Sequence, residues 1–203
     1  MGKEILKIAY SKQHDEYLWL QFKEGDKSAL DQIFYENISH LISYGHQFTT
    51  KRDFIDDCIQ DLFIDLWEKR DRLSSTTSIR FYLLKSLKRR ILRGLKKSQK
   101  TSIFSELGEV FIEKKMHLSG PDNVKEMEAS HELHKAFLSL STLQREIIYL
   151  KYYNNLSSEQ IAEILELSKK QVYNALSKAM ITLRKVLTTK TLMAFNAILL
   201  FDL

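Results

Sequence analysis

The chain has 203 residues and a mass of 23.9 kDa, with 44% apolar residues, which is enough for one large or two small domains with ordinary cores. One Pro, six Gly and 28% charged residues exclude collagen-like and Pro/Gly-rich disordered classes, and a single Cys excludes an internal disulfide framework and suits a reducing cytosol. The formal net charge of +5, from 31 Lys+Arg against 26 Asp+Glu, is too small a sum to name a partner, so its distribution has to be read.

Residues 1–10 lack the apolar run of a secretory leader, and none is expected. Residues 1–50 carry five basic and seven acidic side chains. Within them Asp26-Lys27-Ser28 can cap a helix carrying Leu30, Ile33, Phe34 and Ile38, with Leu41 and Ile42 continuing the apolar face. Asp53 then opens a helix with Ile55, Ile59, Leu62, Phe63, Leu66 and Trp67 at i, i+4, i+7 spacing. Between residues 53 and 68 that helix holds Asp53, Asp56, Asp57, Asp61, Asp65 and Glu68 and no basic residue. DNA would repel such a face, so it should meet a protein or water.

The hydroxyl stretch Ser74-Ser75-Thr76-Thr77-Ser78 interrupts the helix, because such side chains compete for backbone hydrogen bonds. Residues 80–97 form a basic helix with eight basic and no acidic side chains, over an apolar stripe of Leu83, Leu84, Leu87, Ile91 and Leu95. Lys85, Lys88, Arg89 and Arg93 recur at near-helical spacing, and Phe81 and Tyr82 sit just before them. A polar loop, two aromatics and a row of cations suit single-stranded DNA, although either ring taken alone reads as core packing.

Residues 98–130 lose the clean period, contain Gly108, Gly120 and Pro121, and read as an acidic linker with one short helix. A second helical block runs over residues 131–187, where residues 135–187 carry eight basic and four acidic side chains. Two separate cationic blocks favour a polyanion touched at two places. The tail 191–203 is apolar but too short to span a bilayer, and it lacks the cationic face of a membrane-surface helix. Packing on the second domain is its default reading.

The second block holds a helix-turn-helix pattern. Ser157 or Ser158 caps a helix whose buried face is Ile161, Ile164 and Leu165, with Ala162 small enough for a close crossing. Glu166-Leu167-Ser168 makes the turn and Ser168 caps the next helix. There Val172, Leu176, Ala179 and Leu183 face inward. Lys169, Lys170, Gln171, Asn174 and Lys178 are the candidates for duplex DNA, because Asn and Gln pair bidentately with adenine and Lys reaches guanine or phosphate. Glu166 holds a position that favours glycine, since it tends toward positive φ. A plain helical hairpin is the competing reading.

His131 and His134, with Glu128 and Glu132 nearby, lack a third ordered ligand for a metal. Cys58 lies on the inner side of the acidic helix and reads as a small core residue. No phosphate-binding loop, nucleophile elbow or H-E-x-x-H motif is present, so an enzyme, a cofactor or a small-molecule substrate has no residues to rest on.

Three stretches in this order resemble an RNA polymerase sigma factor of the sigma-70 type, extracytoplasmic-function (ECF) class, over residues 15–97 and 131–187. Asp56-Asp57-Cys58-Ile59-Gln60-Asp61-Leu62-Phe63-Ile64-Asp65-Leu66-Trp67-Glu68-Lys69-Arg70 is similar to the polymerase-binding helix. Phe81-Tyr82-Leu83-Leu84-Lys85-Ser86-Leu87-Lys88-Arg89-Arg90 is similar to the promoter-melting helix. Leu143-Gln144-Arg145-Glu146 through Tyr152-Tyr153 leads into the helix-turn-helix.

The resemblance implies an all-α protein with a region 2 bundle (1–97), a linker (98–130), a region 4 helix-turn-helix (131–187) and a tail (188–203). It implies that Asp57, Gln60 and Asp61 grip the coiled coil of the polymerase beta-prime subunit, and that region 4 meets the beta flap. Ser74, Thr76, Thr77, Ser78 and Ile79 would form the pocket for a flipped minus-ten base, with Arg80, Lys85, Lys88, Arg89 and Arg93 on the same element. Lys169, Lys170, Gln171, Asn174 and Lys178 would enter the major groove at the minus-thirty-five element, and the acidic linker would thread into the polymerase.

The chain departs from the family at Arg89, where Asn is common, at Glu166, where Gly is usual, and in its longer apolar tail. The motifs are phrased most like those of Bacteroidetes sigma factors, which implies a membrane-bound anti-sigma protein as a further partner. Core polymerase and promoter DNA complete the expected partners, in a cytoplasmic setting. The rival readings at this point are a stand-alone helix-turn-helix regulator and a peripheral membrane or scaffolding protein that uses residues 80–97 and the tail.

Overall fold

Every regular element among the described residues is helical, as the 3.6-residue apolar spacing predicts. The structure is a computed structural model that describes residues 2–97, with side chains from residue 12, and residues 135–187. The linker and tail readings and the His131/His134 pair lie outside the described residues. The chain divides into two compact units, Met1–Thr101 and Ser102–Leu203. No described helix is long and apolar enough to cross a membrane.

The first unit is built from α1 (Gly2–Lys23), α2 (Lys27–Gly45), α3 (Arg52–Glu68), a 3-10 turn (Arg70–Arg72) and α4 (Ile79–Lys97). Gly25, at φ 92°, turns the chain after α1 in a conformation that L side chains rarely adopt. Asp26 then caps α2, accepting the Ser28 amide at 2.8 Å, and the Ser28 hydroxyl and amide hold its carboxyl below the usual range. The start of α3 differs from the sequence expectation. The helix begins at Arg52 after Lys51, which offers no side-chain cap, so Asp53 sits in the first turn, where a carboxylate complements the helix dipole.

Trp19, Phe22, Ile33, Leu41, Tyr44, Ile55, Leu62, Leu83, Leu84, Leu87 and Ile91 fill the core of this unit. Cys58 is buried with them, and burial pushes its thiol pKa up, which keeps it an inert core residue. α2 and α3 meet closely at Gly45. A Cβ placed there would lie 2.5 Å from Ile55 Cγ2.

The second unit contains α5 (Thr142–Ile148), a π-helical turn (Tyr149–Tyr153), α6 (Ser158–Leu165) and α7 (Lys169–Val186). Ser141, Ser157 and Ser168 each close a capping box with a glutamine three residues on, Gln144, Gln160 and Gln171. Asn154 closes the π turn: its amide and its Nδ2 both donate to the Tyr149 carbonyl, at 3.2 and 3.3 Å. Ala136, Phe137, Leu140, Ile148, Ala179, Leu183 and Leu187 form the core beneath α7.

Candidate nucleic-acid and protein interfaces

In the second unit, α6 and α7 form the helix-turn-helix. Glu166 sits at φ 56°, ψ 41°, the left-handed conformation expected there, and the Leu167 amide closes the end of α6 on the Ala162 carbonyl at 2.9 Å. Val172, Ala179 and Leu183 are buried, and Leu176 and Leu165 are half-buried. The opposite face of α7 presents Lys170, Gln171, Asn174 and Lys178, all exposed. Gln171 is partly committed, because its Oε1 accepts the Ser168 amide and hydroxyl, each at 2.8 Å. Only its NH2 group is left over for a partner.

Lys169 does not join that face. It pairs with Glu159 of α6, and its Nζ stands 5.7 Å from the centroid of the Tyr173 ring. The pair holds the Glu159 carboxyl down at about 2 and raises the Lys169 ammonium. Tyr173 escaped the sequence reading. It is 52% exposed in the second turn of α7, beside Asn174. Its place one turn after Lys169 and its neighbourhood to Asn174 were the signals available.

In the first unit, the hydroxyl loop is tied to α1 at both ends. The Trp19 indole N–H donates to the Ser74 carbonyl at 2.9 Å, and the Asp15 carboxylate accepts the Ile79 amide at 2.9 Å. Asp15 therefore caps α4 from a distant helix, while burial pushes its carboxyl pKa up. Ser78 adds a local cap, its hydroxyl accepting the Phe81 amide at 3.3 Å, and the Thr76 hydroxyl bonds the Ser78 backbone. Ser74, Ser75 and Thr77 face solvent, whereas Thr76 and Ser78 are half-buried and serve the loop itself.

Two expected contact residues are placed otherwise. The Ile79 side chain is 2% exposed and belongs to the core, because α4 starts one residue earlier than expected and Ile79 extends its apolar stripe by one turn ahead of Leu83. Arg80 turns inward and its Nε donates to Oδ1 of buried Asn37 at 3.3 Å. Further along α4, the Lys85 ammonium lies 5.8 Å from the Phe81 ring and that of Lys88 lies 5.8 Å from the Phe48 ring. Arg89 and Arg93, one turn apart, are exposed. Tyr82 packs its ring against Trp19 at 5.1 Å, as the core reading had it.

Asp57, Gln60 and Asp61 are exposed on α3, but they divide between two neighbourhoods. Gln60 lines an apolar groove of about 710 Å³ between α2 and α3, whose walls include Leu30, Phe34, Ile38, Phe63 and Trp67. Asp61 instead faces α4, where Arg90 pairs with it at 3.3 Å and also with Asp65. Lys69 and then Arg90 hold the Asp65 carboxyl below its usual range. The acidic face is thus partly neutralised by the protein itself, and Arg90 is withdrawn from the cationic set that could meet DNA.

Residues 33–101 match the family model described as sigma-70 region 2, and residues 130–183 match the one described as sigma-70, region 4. No curated protein matches the chain. Among solved structures, that of CnrH in complex with the cytosolic domain of CnrY is similar, at 18% identity and a TM-score of 0.55, covering 84% of this chain and 95% of that one. The sigma factor RpoE in complex with the anti-sigma factor NepR from Bartonella quintana is similar at 18% identity and a TM-score of 0.53, covering 77% and 94%. At such identity the two structures speak for the fold, and the paired family matches, in this order and over more than half of the chain, carry the assignment. The chain belongs to the sigma-70 family of RNA polymerase sigma factors, of the ECF type, and acts in the initiation of transcription.

Proposed function

We propose that the two units divide promoter recognition between them, with the first also holding the polymerase. The observation that carries this reading is one helical bundle with two unlike faces. The α2–α3 groove, lined by Gln60 and edged by Asp56 and Glu68, offers apolar surface beside acid, and Asp57 and Asp61 stand exposed on the same helix, an arrangement suited to a protein helix. The exposed Ser74 and Thr77, on a loop pinned to α1, and the exposed Arg89 and Arg93 of α4 offer hydroxyls and cations suited to unstacked bases and their phosphates. The groove takes the beta-prime coiled coil, the loop and α4 take the minus-ten strand, and α7 reads the minus-thirty-five duplex through Lys170, Gln171, Asn174 and Lys178.

Melting in this reading needs no catalytic residue, since trapping flipped bases offsets an unstacking cost of a few kcal/mol. The work places the protein in the cytoplasm beside its polymerase. An anti-sigma protein is the regulatory partner, with support from the complexes of CnrH with CnrY and of RpoE with NepR. Run-off transcription with core polymerase tests the whole reading. Start-site selection only in the presence of the chain is the expected result. A chain that binds promoter duplex tightly alone and never redirects core polymerase is a stand-alone regulator instead.

A further inference from the structure

We infer that Tyr173 is a specificity-determining residue that reads the 5-methyl edge of a thymine in the upstream element, and that Lys169 and Glu159 position it without touching DNA. The inference rests on the reading that α7 enters the major groove.

The placement of Tyr173 is the first argument. Val172 before it is fully buried, and Asn174 after it lies on the exposed face, so Tyr173 stands at the rim between core and groove-facing surface. Its side chain remains 52% exposed within the first two turns of the helix. Those turns are the part of a recognition helix that meets base edges. A ring half in water there adds little to the fold beyond its contact with Lys169, whereas a ring docked in the groove removes apolar area from water on binding.

The second argument is restraint. The Lys169 ammonium lies 5.7 Å from the Tyr173 ring centroid and is itself fixed by the Glu159 carboxylate across the turn. An ammonium drawn to the ring restricts the orientations that the side chain takes in the free protein. Restraint in the free protein lowers the ordering cost of a contact made on binding. The same geometry removes Lys169 from the set of phosphate clamps, because its charge is balanced by Glu159 and it leans back toward α6.

The third argument is chemical. In the major groove each base pair presents hydrogen-bonding groups, and the thymine methyl is the apolar feature among them. Lys170, Gln171, Asn174 and Lys178 cover polar edges. An aromatic edge beside them meets the methyl, and the phenol hydroxyl is not required for that contact.

The test uses holoenzyme assembled from core polymerase and the full chain. The upstream element is first selected from a randomised library with wild-type holoenzyme. Each thymine in it is then replaced singly by deoxyuridine, which removes only the methyl. One position should bind about fourfold more weakly as deoxyuridine, the worth of one buried methyl group. Tyr173→Phe should keep that ratio. Tyr173→Ala should abolish it and bind the selected element about fivefold or more weakly.

Lys169→Met should reduce the thymine-to-deoxyuridine ratio while leaving the salt dependence of binding unchanged. A lost phosphate contact would instead lower the slope of log affinity against log salt by about 0.9. An element with no methyl-sensitive thymine, or a Tyr173→Ala variant that keeps the ratio, overturns the role of Tyr173. A reduced salt slope in Lys169→Met overturns the positioning role. If wild-type holoenzyme selects no upstream sequence at all, the reading of α7 falls and this inference falls with it.

Discussion

Replacing Glu166 by glycine should stabilise the helix-turn-helix. Glu166 holds φ 56°, ψ 41° at the end of α6, is exposed, and is one of only two non-glycine residues with positive φ among the described residues. The left-handed conformation costs an L residue roughly 1–2 kcal/mol, because Cβ crowds the following carbonyl. Glycine removes that cost but adds freedom to the unfolded chain, which returns about 0.4–1 kcal/mol. Removing a negative charge from a helix C-terminus adds about 0.3 kcal/mol in favour of the variant. The net gain is about 1 kcal/mol. It should slow amide exchange across residues 158–186 about fivefold, while peptides from α4 in the same molecule serve as the unchanged reference. Glu166→Val, with a β-branched side chain in the same conformation, should speed exchange there. Unchanged or faster exchange in Glu166→Gly, or wild-type exchange in Glu166→Val, would refute the claim that strain is stored at this turn.

Gly45→Ala should cost about 1–3 kcal/mol in urea denaturation, since its Cβ would sit 2.5 Å from a branched atom of buried Ile55; in an Ile55→Ala background the same substitution should cost less, and a Gly45→Ala protein as stable as wild type would contradict the crossing. Asp61→Arg should abolish capture of core polymerase in a pull-down while moving stability by no more than about 1 kcal/mol, because its ion pair with Arg90 is exposed; wild-type capture removes Asp61 from the interface. Lys170→Ala and Asn174→Ala should each weaken upstream-element binding by roughly 1–3 kcal/mol, read as a lost or shifted footprint. By carboxylate NMR titration Glu159 should protonate at about 2, well under its ordinary 4.5. The pair it forms is then fully present above pH 4.5 and lost as pH falls through about 2. Lys169→Met should return the midpoint toward the ordinary value, and an ordinary midpoint in the wild-type chain would show the pair to be absent in solution.

Much of the helix-turn-helix was legible in the sequence because its determinants are local. A serine cap and a glutamine three residues later close each box within one turn. Leu176, Ala179 and Leu183 fall inward by period alone, and the position of Glu166 between two caps already demanded a left-handed residue. The same locality located the acidic and basic helices and the loop between them. It did not reveal Tyr173, whose aromatic type suits a core as well as a groove until its exposure is known.

Pattern reading misplaced residues wherever a distant element decided their fate. Ile79 looked like the last residue of a binding loop, but Asp15, 64 residues earlier, takes its amide and starts the helix there. Arg80 looked like a DNA contact, but Asn37, 43 residues earlier, draws it inward. Lys169 looked like a reader and is held by Glu159 across the turn.

By itself, then, the sequence determined the helices, their caps and the sorting of charge that turns a net +5 into acidic and basic surfaces. Those properties depend on neighbours within a turn or two, which spacing records. Only the tertiary structure decided which charges are spent inside the protein. Asp61 and Asp65 on α3 share Arg90 of α4, 29 and 25 residues away, and no periodicity along either helix encodes that meeting. Such a surface ion pair lowers the charge these carboxylates present without burying Asp61, so the field of the surface is what remains after the fold has paired its own ions.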